Sequence, residues 1–114
     1  MDKHIHLTQK DVDKINKKLP SIEKTEALAN LFKVFSDKTR VKILLTLVGN
    51  HLCVHDISLA LDMSHSAISH QLRTLREANL VKFKKSGKEV VYSFSNKEIE
   101  DIFKQGLTYL ENSK

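Results

Sequence analysis

The stretch from Val54 to Leu80 constrains the fold of this chain most strongly, because it has the pattern of two short helices joined by a tight turn. Apolar residues recur at helical spacing in each half, so each helix has one face suited to burial. These positions are Val54, Ile57 and Leu61 in the first helix and Ile68, Leu72 and Leu75 in the second. Both faces can meet one small core, which predicts a helix-turn-helix over residues 54–79.

The opposite face of the second helix carries short polar side chains and one long cation. Short side chains let a helix approach base edges closely, and hydroxyl, imidazole and guanidinium groups bond to phosphates or bases. This pattern predicts DNA contacts from Ser64, His65, Ser66, Ser69, His70, Gln71 and Arg73. Gln71 is expected to be partly turned toward the core. His65 and His70 are five residues apart and so do not share a side, which favours DNA contact over a shared metal ion.

Positive charge is concentrated in the same part of the chain. The whole sequence has a formal net charge of +5, and nearly all of this excess lies between Ser64 and Val90, where cations far outnumber acids. Clustered positive charge attracts a polyanion, and such binding weakens steeply with salt. Lys84, Lys85 and Lys88 surround a predicted hairpin tip and are expected to contact phosphate or the minor groove.

The remaining patterns predict three earlier helices, a β-hairpin and a terminal helix. After Leu80 the apolar period changes to two, as in Val90, Tyr92 and Phe94, with Gly87 at a turn. The predicted segments are an arm over 1–7 that we expect to be flexible, helices beginning near Thr8, at Ser21 or Thr25, and near Asp37, the helix-turn-helix over 54–79, a wing over 80–94 and a terminal helix over 96–112. The predicted fold is therefore mainly α with a small β-hairpin, a single winged helix-turn-helix domain over residues 1–114.

The terminal helix is expected to pair with a second copy of the chain. Its apolar positions form one continuous face that a chain of 114 residues has little interior to cover. The first helix of a second subunit would cover it. This predicts a homodimer through the N- and C-terminal helices, whose two recognition helices suit an inverted-repeat operator.

Composition excludes several other classes. The sequence has no signal peptide and no apolar run long enough to span a membrane, and its single cysteine, Cys53, allows no internal disulfide. We therefore expect a cytoplasmic protein with no membrane partner. The serines and histidines of the second helix lack a G-x-S-x-G elbow and accompanying acids, so the chain is not expected to be an enzyme or to hold an organic cofactor.

Three segments carry a resemblance to a known family. They are FKVFSDKTRVKILLTL over 32–47, CVHDISLALDMSHSAISHQLRTLREANLV over 53–81, and GKEVVYSF over 87–94. Together they resemble the ArsR/SmtB family of bacterial metal-sensing repressors, over nearly the whole chain. The resemblance implies a winged-helix repressor that leaves its operator when an inducer binds.

This family has two recurrent metal positions, and the first lies on the paired terminal helices. There the resemblance aligns Asn96, Glu98, Tyr109 and Asn112 with the ligands. Only Glu98 is a good ligand, because amide and phenol oxygens bind zinc poorly. The sequence therefore argues against a metal at this position.

The second position joins the N-terminal arm to the start of the helix-turn-helix, where cadmium and lead sensors carry Cys-Val-Cys-Asp. This chain has Cys53, His55 and Asp56 there, and its arm offers His4 and His6. Such a mixed donor set favours tetrahedral Zn(II), with Co(II), Ni(II) and copper as competitors, over Cd(II) or Pb(II). Two alternatives remain open: a repressor that responds to oxidation of the Cys53 thiol, and one that responds to no metal at all.

Overall fold

The computed structural model describes residues 5–113 and divides the chain into two compact units, Met1–Asn30 and Leu31–Lys114. Its elements in chain order are α1 (Gln9–Lys18), α2 (Ile22–Phe35), α3 (Lys38–Leu47), β1 (Leu52–Cys53), α4 (Val54–Leu61), α5 (His65–Glu77), β2 (Val81–Ser86), β3 (Glu89–Phe94) and α6 (Lys97–Glu111). Within the described residues, no helix is both long and apolar enough to cross a membrane.

The first unit contains α1 and the start of α2, and hydrogen bonds from side chains define both helix starts. The Thr8 hydroxyl accepts from the Asp11 N–H at 3.3 Å, and the Asp11 carboxylate accepts from the Thr8 N–H at 3.2 Å. Leu19 caps the end of α1, immediately before Pro20. At the next start the Ser21 hydroxyl accepts from the Lys24 N–H at 3.2 Å, so Ser21 rather than Thr25 begins α2.

The core of the second unit is built from α3, α4, α5 and the ends of the sheet. Asp37 caps α3 by accepting from the Arg40 N–H at 3.0 Å, as predicted. The buried apolar side chains are Ile43, Leu44 and Leu47 of α3, Ile57 of α4, Ile68, Leu72 and Leu75 of α5, and Leu80, Val81 and Phe94 of the sheet region. Each fully buried aliphatic side chain contributes roughly 1.5–3 kcal/mol. The apolar stripe of α5 is therefore completed within one chain.

The predicted hairpin forms, and a third strand joins it. β2 and β3 pair antiparallel, with Ser86 opposite Glu89, and Gly87 takes a φ of +63° at the turn. β1 pairs with the other edge of β3, so that Cys53 lies opposite Val91. A two-residue strand shows no alternating pattern, so the sequence predicted a two-stranded hairpin where a three-stranded sheet exists. Because Cys53 ends β1 and caps α4, the sheet fixes the start of α4.

Hydrogen bonds and a ring contact hold the first half of the terminal helix α6. The Asn96 side chain accepts from the Ile99 N–H at 2.9 Å, and the Glu100 carboxylate accepts from the Gly49 N–H at 2.6 Å. Phe103 packs edge-on against Phe35, with ring centroids 4.8 Å apart. The fold is a winged helix-turn-helix, as the sequence predicted.

Candidate nucleic-acid interface

The turn between α4 and α5 is fixed from both sides, which sets the direction of the second helix. Asp62 adopts the left-handed conformation with a φ of +53°, which Asp tolerates better than most residues. The buried Ser58 hydroxyl donates to the Met63 carbonyl, and the Ser64 hydroxyl accepts from the Ala67 N–H at 3.1 Å. Ser64, predicted to contact DNA, is thus the N-cap of α5, and its hydroxyl proton can still be donated to an outside acceptor.

The outer face of α5 is open to solvent. The exposed side chains with predicted DNA contacts are Ser64, His65, Ser66, Ser69, His70 and Arg73. Because Ile68, Leu72 and Leu75 are completely buried on the other side, this face belongs to a rigidly held helix. It is the surface that direct readout in a major groove requires.

Gln71 differs from the other predicted contacts. It is half-buried, and its Oε1 accepts a hydrogen bond from Arg40 Nε of α3 at 3.1 Å. The side chain is therefore partly turned inward, as its position suggested. This bond ties the recognition helix to α3.

The wing presents cations and contacts the end of α5. Lys84, Lys85 and Lys88 are all exposed. The Arg76 guanidinium of α5 lies 4.8 Å from the centroid of the Phe83 ring of β2, a cation–π contact. This link between helix and wing has no counterpart in the sequence pattern, because the two residues lie in elements with different periodicities.

Two histidines predicted to have separate roles lie together. Nδ1 of His55, in the first turn of α4, is 3.3 Å from Nε2 of His65, the first residue of α5. Their ring centroids are 5.4 Å apart and the rings are nearly perpendicular, at 71°. The sequence assigned His55 to a metal and His65 to DNA, and ten residues of separation give no periodic signal for a contact.

Of the other predicted metal donors at the start of α4, the Asp56 carboxylate has a hydrogen-bond partner and Cys53 is partly covered. Cys53 is half-buried at the end of β1, and the Asp56 carboxylate accepts from the Cys53 N–H at 3.3 Å. His6 is described and exposed, whereas His4 lies outside the described residues. Thiolate, imidazole and carboxylate suit Zn(II) chemically. However, no group of three or more His, Cys, Asp or Glu side chains within residues 5–113 is close enough to hold an ion.

The family's alternative position on the terminal helix offers few donors. Asn96 uses its side-chain oxygen to cap α6, and Glu98 and Tyr109 are exposed. The amide oxygen is therefore already engaged, which leaves Glu98 as the good ligand at this position.

The recognition helix, the cationic wing and the fold define a DNA-binding regulator of the winged helix-turn-helix class. Residues 37–82 match the family model described as bacterial regulatory protein, arsR family. The chain is 31% identical over 109 residues to a transcriptional repressor SmtB homolog of Synechocystis sp., covering 96% of this chain and 81% of that relative. It belongs to the ArsR/SmtB family, whose members regulate transcription and are not enzymes.

Other relatives and solved structures agree with this membership. A cadmium resistance transcriptional regulatory protein CadC homolog of Staphylococcus aureus is 34% identical, over 85% of this chain and 83% of that protein. The transcriptional activator HlyU of Vibrio cholerae is 36% identical, over 72% and 77%. The crystal structure of AntR, an antimony-specific transcriptional repressor, superimposes with a TM-score of 0.74 at 26% identity, over 84% of this chain and 87% of that chain.

Proposed function

We propose that this protein is a homodimeric repressor that binds an inverted-repeat operator and is released from it by a metal ion. The observation that carries the DNA-binding part is the exposed polar face of α5 on a helix whose opposite face is fully buried. In this arrangement α5 enters the major groove and Lys84, Lys85 and Lys88 contact phosphates or the minor groove. We expect a DNA-binding repressor of this kind to be cytoplasmic.

Selection from a random-sequence duplex library tests the DNA-binding proposal. We expect the full chain to enrich one motif with two related half-sites, and the affinity for that motif to fall steeply with salt in fluorescence anisotropy. Enrichment of no motif, or an affinity that does not change with salt, would contradict it.

Exposed apolar side chains support the dimer. On α6, Ile102, Leu107 and Leu110 are 49%, 45% and 67% exposed, and on α1 Ile15 is 49% exposed. Apolar stripes of this kind are stable in water when another helix covers them, and a two-fold axis lets the same helices of two copies cover each other. The occupant we propose is therefore a second copy of the chain. Sedimentation that shows a monomer at micromolar concentration would contradict it.

Metal responsiveness is supported by the donors at the start of α4 and by the relatives. Cys53, His55 and Asp56 lie within four residues, and two relatives carry names that refer to cadmium resistance or to SmtB. We propose that Cys53 and His55, with His4 and His6 of the arm and Asp56 as an alternate ligand, bind Zn(II), with Co(II), Ni(II) and copper as competitors, in preference to Cd(II) or Pb(II). A bound ion would supply a fixed positive charge, and its bonds would cross-link the N-terminal arm to the start of α4. A 100-fold loss of DNA affinity would need a coupling of about 2.7 kcal/mol, within the usual allosteric range.

The metal proposal is tested by comparing the parent with Cys53→Ser. We expect Zn(II) to bind the parent more tightly than the variant, as measured by competition with a chromophoric chelator. Equal affinities would remove Cys53 from the site. If peroxide, and no metal, then released the parent from DNA, oxidation of the Cys53 thiol would replace metal as the signal.

A further inference from the structure

The contact between His55 and His65 joins the two helices whose roles the proposed function keeps separate. His55 belongs to the start of α4, where the candidate metal donors lie, and His65 is the first residue of the recognition helix. Both side chains are exposed, and Nδ1 of His55 is 3.3 Å from Nε2 of His65. In the neutral pair one imidazole N–H donates to the other ring, so each ring holds the other in place.

The same separation suits a metal ion. Two imidazole nitrogens bound tetrahedrally at zinc–nitrogen distances of 2.0–2.1 Å lie about 3.3 Å from each other. The two rings of this pair are therefore already at the ligand–ligand distance of a tetrahedral site. Because both side chains are exposed, rotating them to converge on an ion does not disturb the buried core.

The two donors beside His55 lie in environments different from its own. The Asp56 carboxylate is held by the Cys53 N–H, and Cys53 itself is half-buried in the strand that pairs with β3. Among the donors at the start of α4, His55 is the one whose ring contacts the recognition helix.

We propose that His55 and His65 together bind a divalent transition-metal ion, with other donors of the proposed site or water in the remaining coordination positions, and that this binding withdraws His65 from DNA. The inference rests on the proposed function and deepens it, because it makes a residue of the recognition helix a metal ligand. Metal and DNA then compete for the same imidazole. Loss of the hydrogen bond from one His65 to DNA should weaken DNA binding about tenfold. Loss of this bond in both subunits of a dimer should weaken it about 100-fold.

This competition has a reciprocal consequence. If the ion lowers affinity for DNA by a given factor, DNA lowers affinity for the ion by the same factor. The dimer bound to its selected duplex should therefore bind Zn(II) about 100-fold more weakly over its two sites than the free dimer.

The experiment uses the full chain with Co(II) as a spectroscopic probe and Zn(II) in competition with a chromophoric chelator. We expect His55→Ala and His65→Ala each to lose metal affinity by at least tenfold, and the double variant to lose little more, because either single change removes the same pair. His70→Ala, on the same helix but outside the pair, and His51→Ala, an exposed loop histidine, are the matched controls and should keep the metal affinity of the parent. In NMR spectra, Zn(II) should shift the ring signals of His55 and His65 before those of His70.

The outcomes separate this inference from the proposed function. If His65→Ala binds metal as the parent does, or if the parent binds none of these ions, the His55–His65 site is wrong. If Zn(II) still releases His65→Ala from DNA to the same extent as the parent, the metal-responsive repressor stands and its ligand lies elsewhere. Circular dichroism of each variant confirms that weaker metal binding does not come from unfolding.

Discussion

Helices α5 and α6 have the same kind of apolar stripe, but only one stripe is completed within a single chain. In α5, Ile68, Leu72 and Leu75 are fully buried, whereas in α6 Leu107 and Leu110 remain 45% and 67% exposed. The covered stripe frees the opposite face of α5 to present polar groups. In the proposed dimer a second copy covers the stripe of α6, so similar apolar patterns would support DNA binding in one helix and dimerisation in the other.

The largest expected effect is the loss of stability when a side chain is removed from the covered stripe of α5. Leu72→Ala removes a fully buried side chain and leaves a cavity, so it should lower the free energy of unfolding by about 2–5 kcal/mol. Urea unfolding at a fixed protein concentration measures this. Gln105→Ala, at an exposed polar position on α6, is the control and should change it by less than about 0.5 kcal/mol. Equal losses would mean that the stripe of α5 is not the core.

Charges placed on the stripe of α6 should act on assembly. Leu107→Glu with Leu110→Glu should weaken dimerisation by at least about 100-fold, because four carboxylates would have to be desolvated at one interface. Analytical ultracentrifugation would then show a monomer whose circular dichroism keeps the parent's helix content. A variant that remains dimeric would show that the dimer uses another surface.

On the outer face of α5, Arg73→Ala should change which sequences are bound. Removal of a side chain that bonds to a base costs about 1–3 kcal/mol and relaxes specificity at one position of the site. Anisotropy with duplexes substituted at single positions measures this. The matched control is Lys104→Ala, which removes an exposed cation from α6. If Lys104→Ala has the same effect, the account of α5 as the reading helix is wrong.

The smallest effect is expected at the wing. Lys85→Ala should weaken binding to all duplexes alike, and the slope of log K against log salt should become shallower by about 0.9 for each phosphate that the variant no longer neutralises. The same anisotropy series at several salt concentrations gives the slope. An unchanged slope would show that Lys85 does not touch DNA.

Periodicity and capping residues were enough to predict the helices and the wing. Asp37 caps α3, and Asn96 rather than Ser95 caps α6, because a cap depends on residues only three positions apart. The two-residue strand β1 was missed, since its pairing with β3 is set by tertiary structure.

The contacts of the site were harder to predict than its residues. The outer positions of α5 follow from helical spacing, and they are exposed. The contact of His65 with His55 and the bond from Arg40 to Gln71 depend on how α5 packs against α4 and α3, which sequence spacing does not encode. Both histidines are therefore recognisable from the sequence as site residues, whereas their contact is visible only in the structure.

The most direct test of metal-controlled repression is the affinity of the dimer for its selected duplex, measured by anisotropy at fixed salt with and without Zn(II). A metal-released repressor should bind about 100-fold more weakly when Zn(II) is present, and a chelator should restore the original affinity. An affinity that is the same with and without Zn(II), in a protein that binds the duplex specifically, would contradict the claim that this ion is its signal.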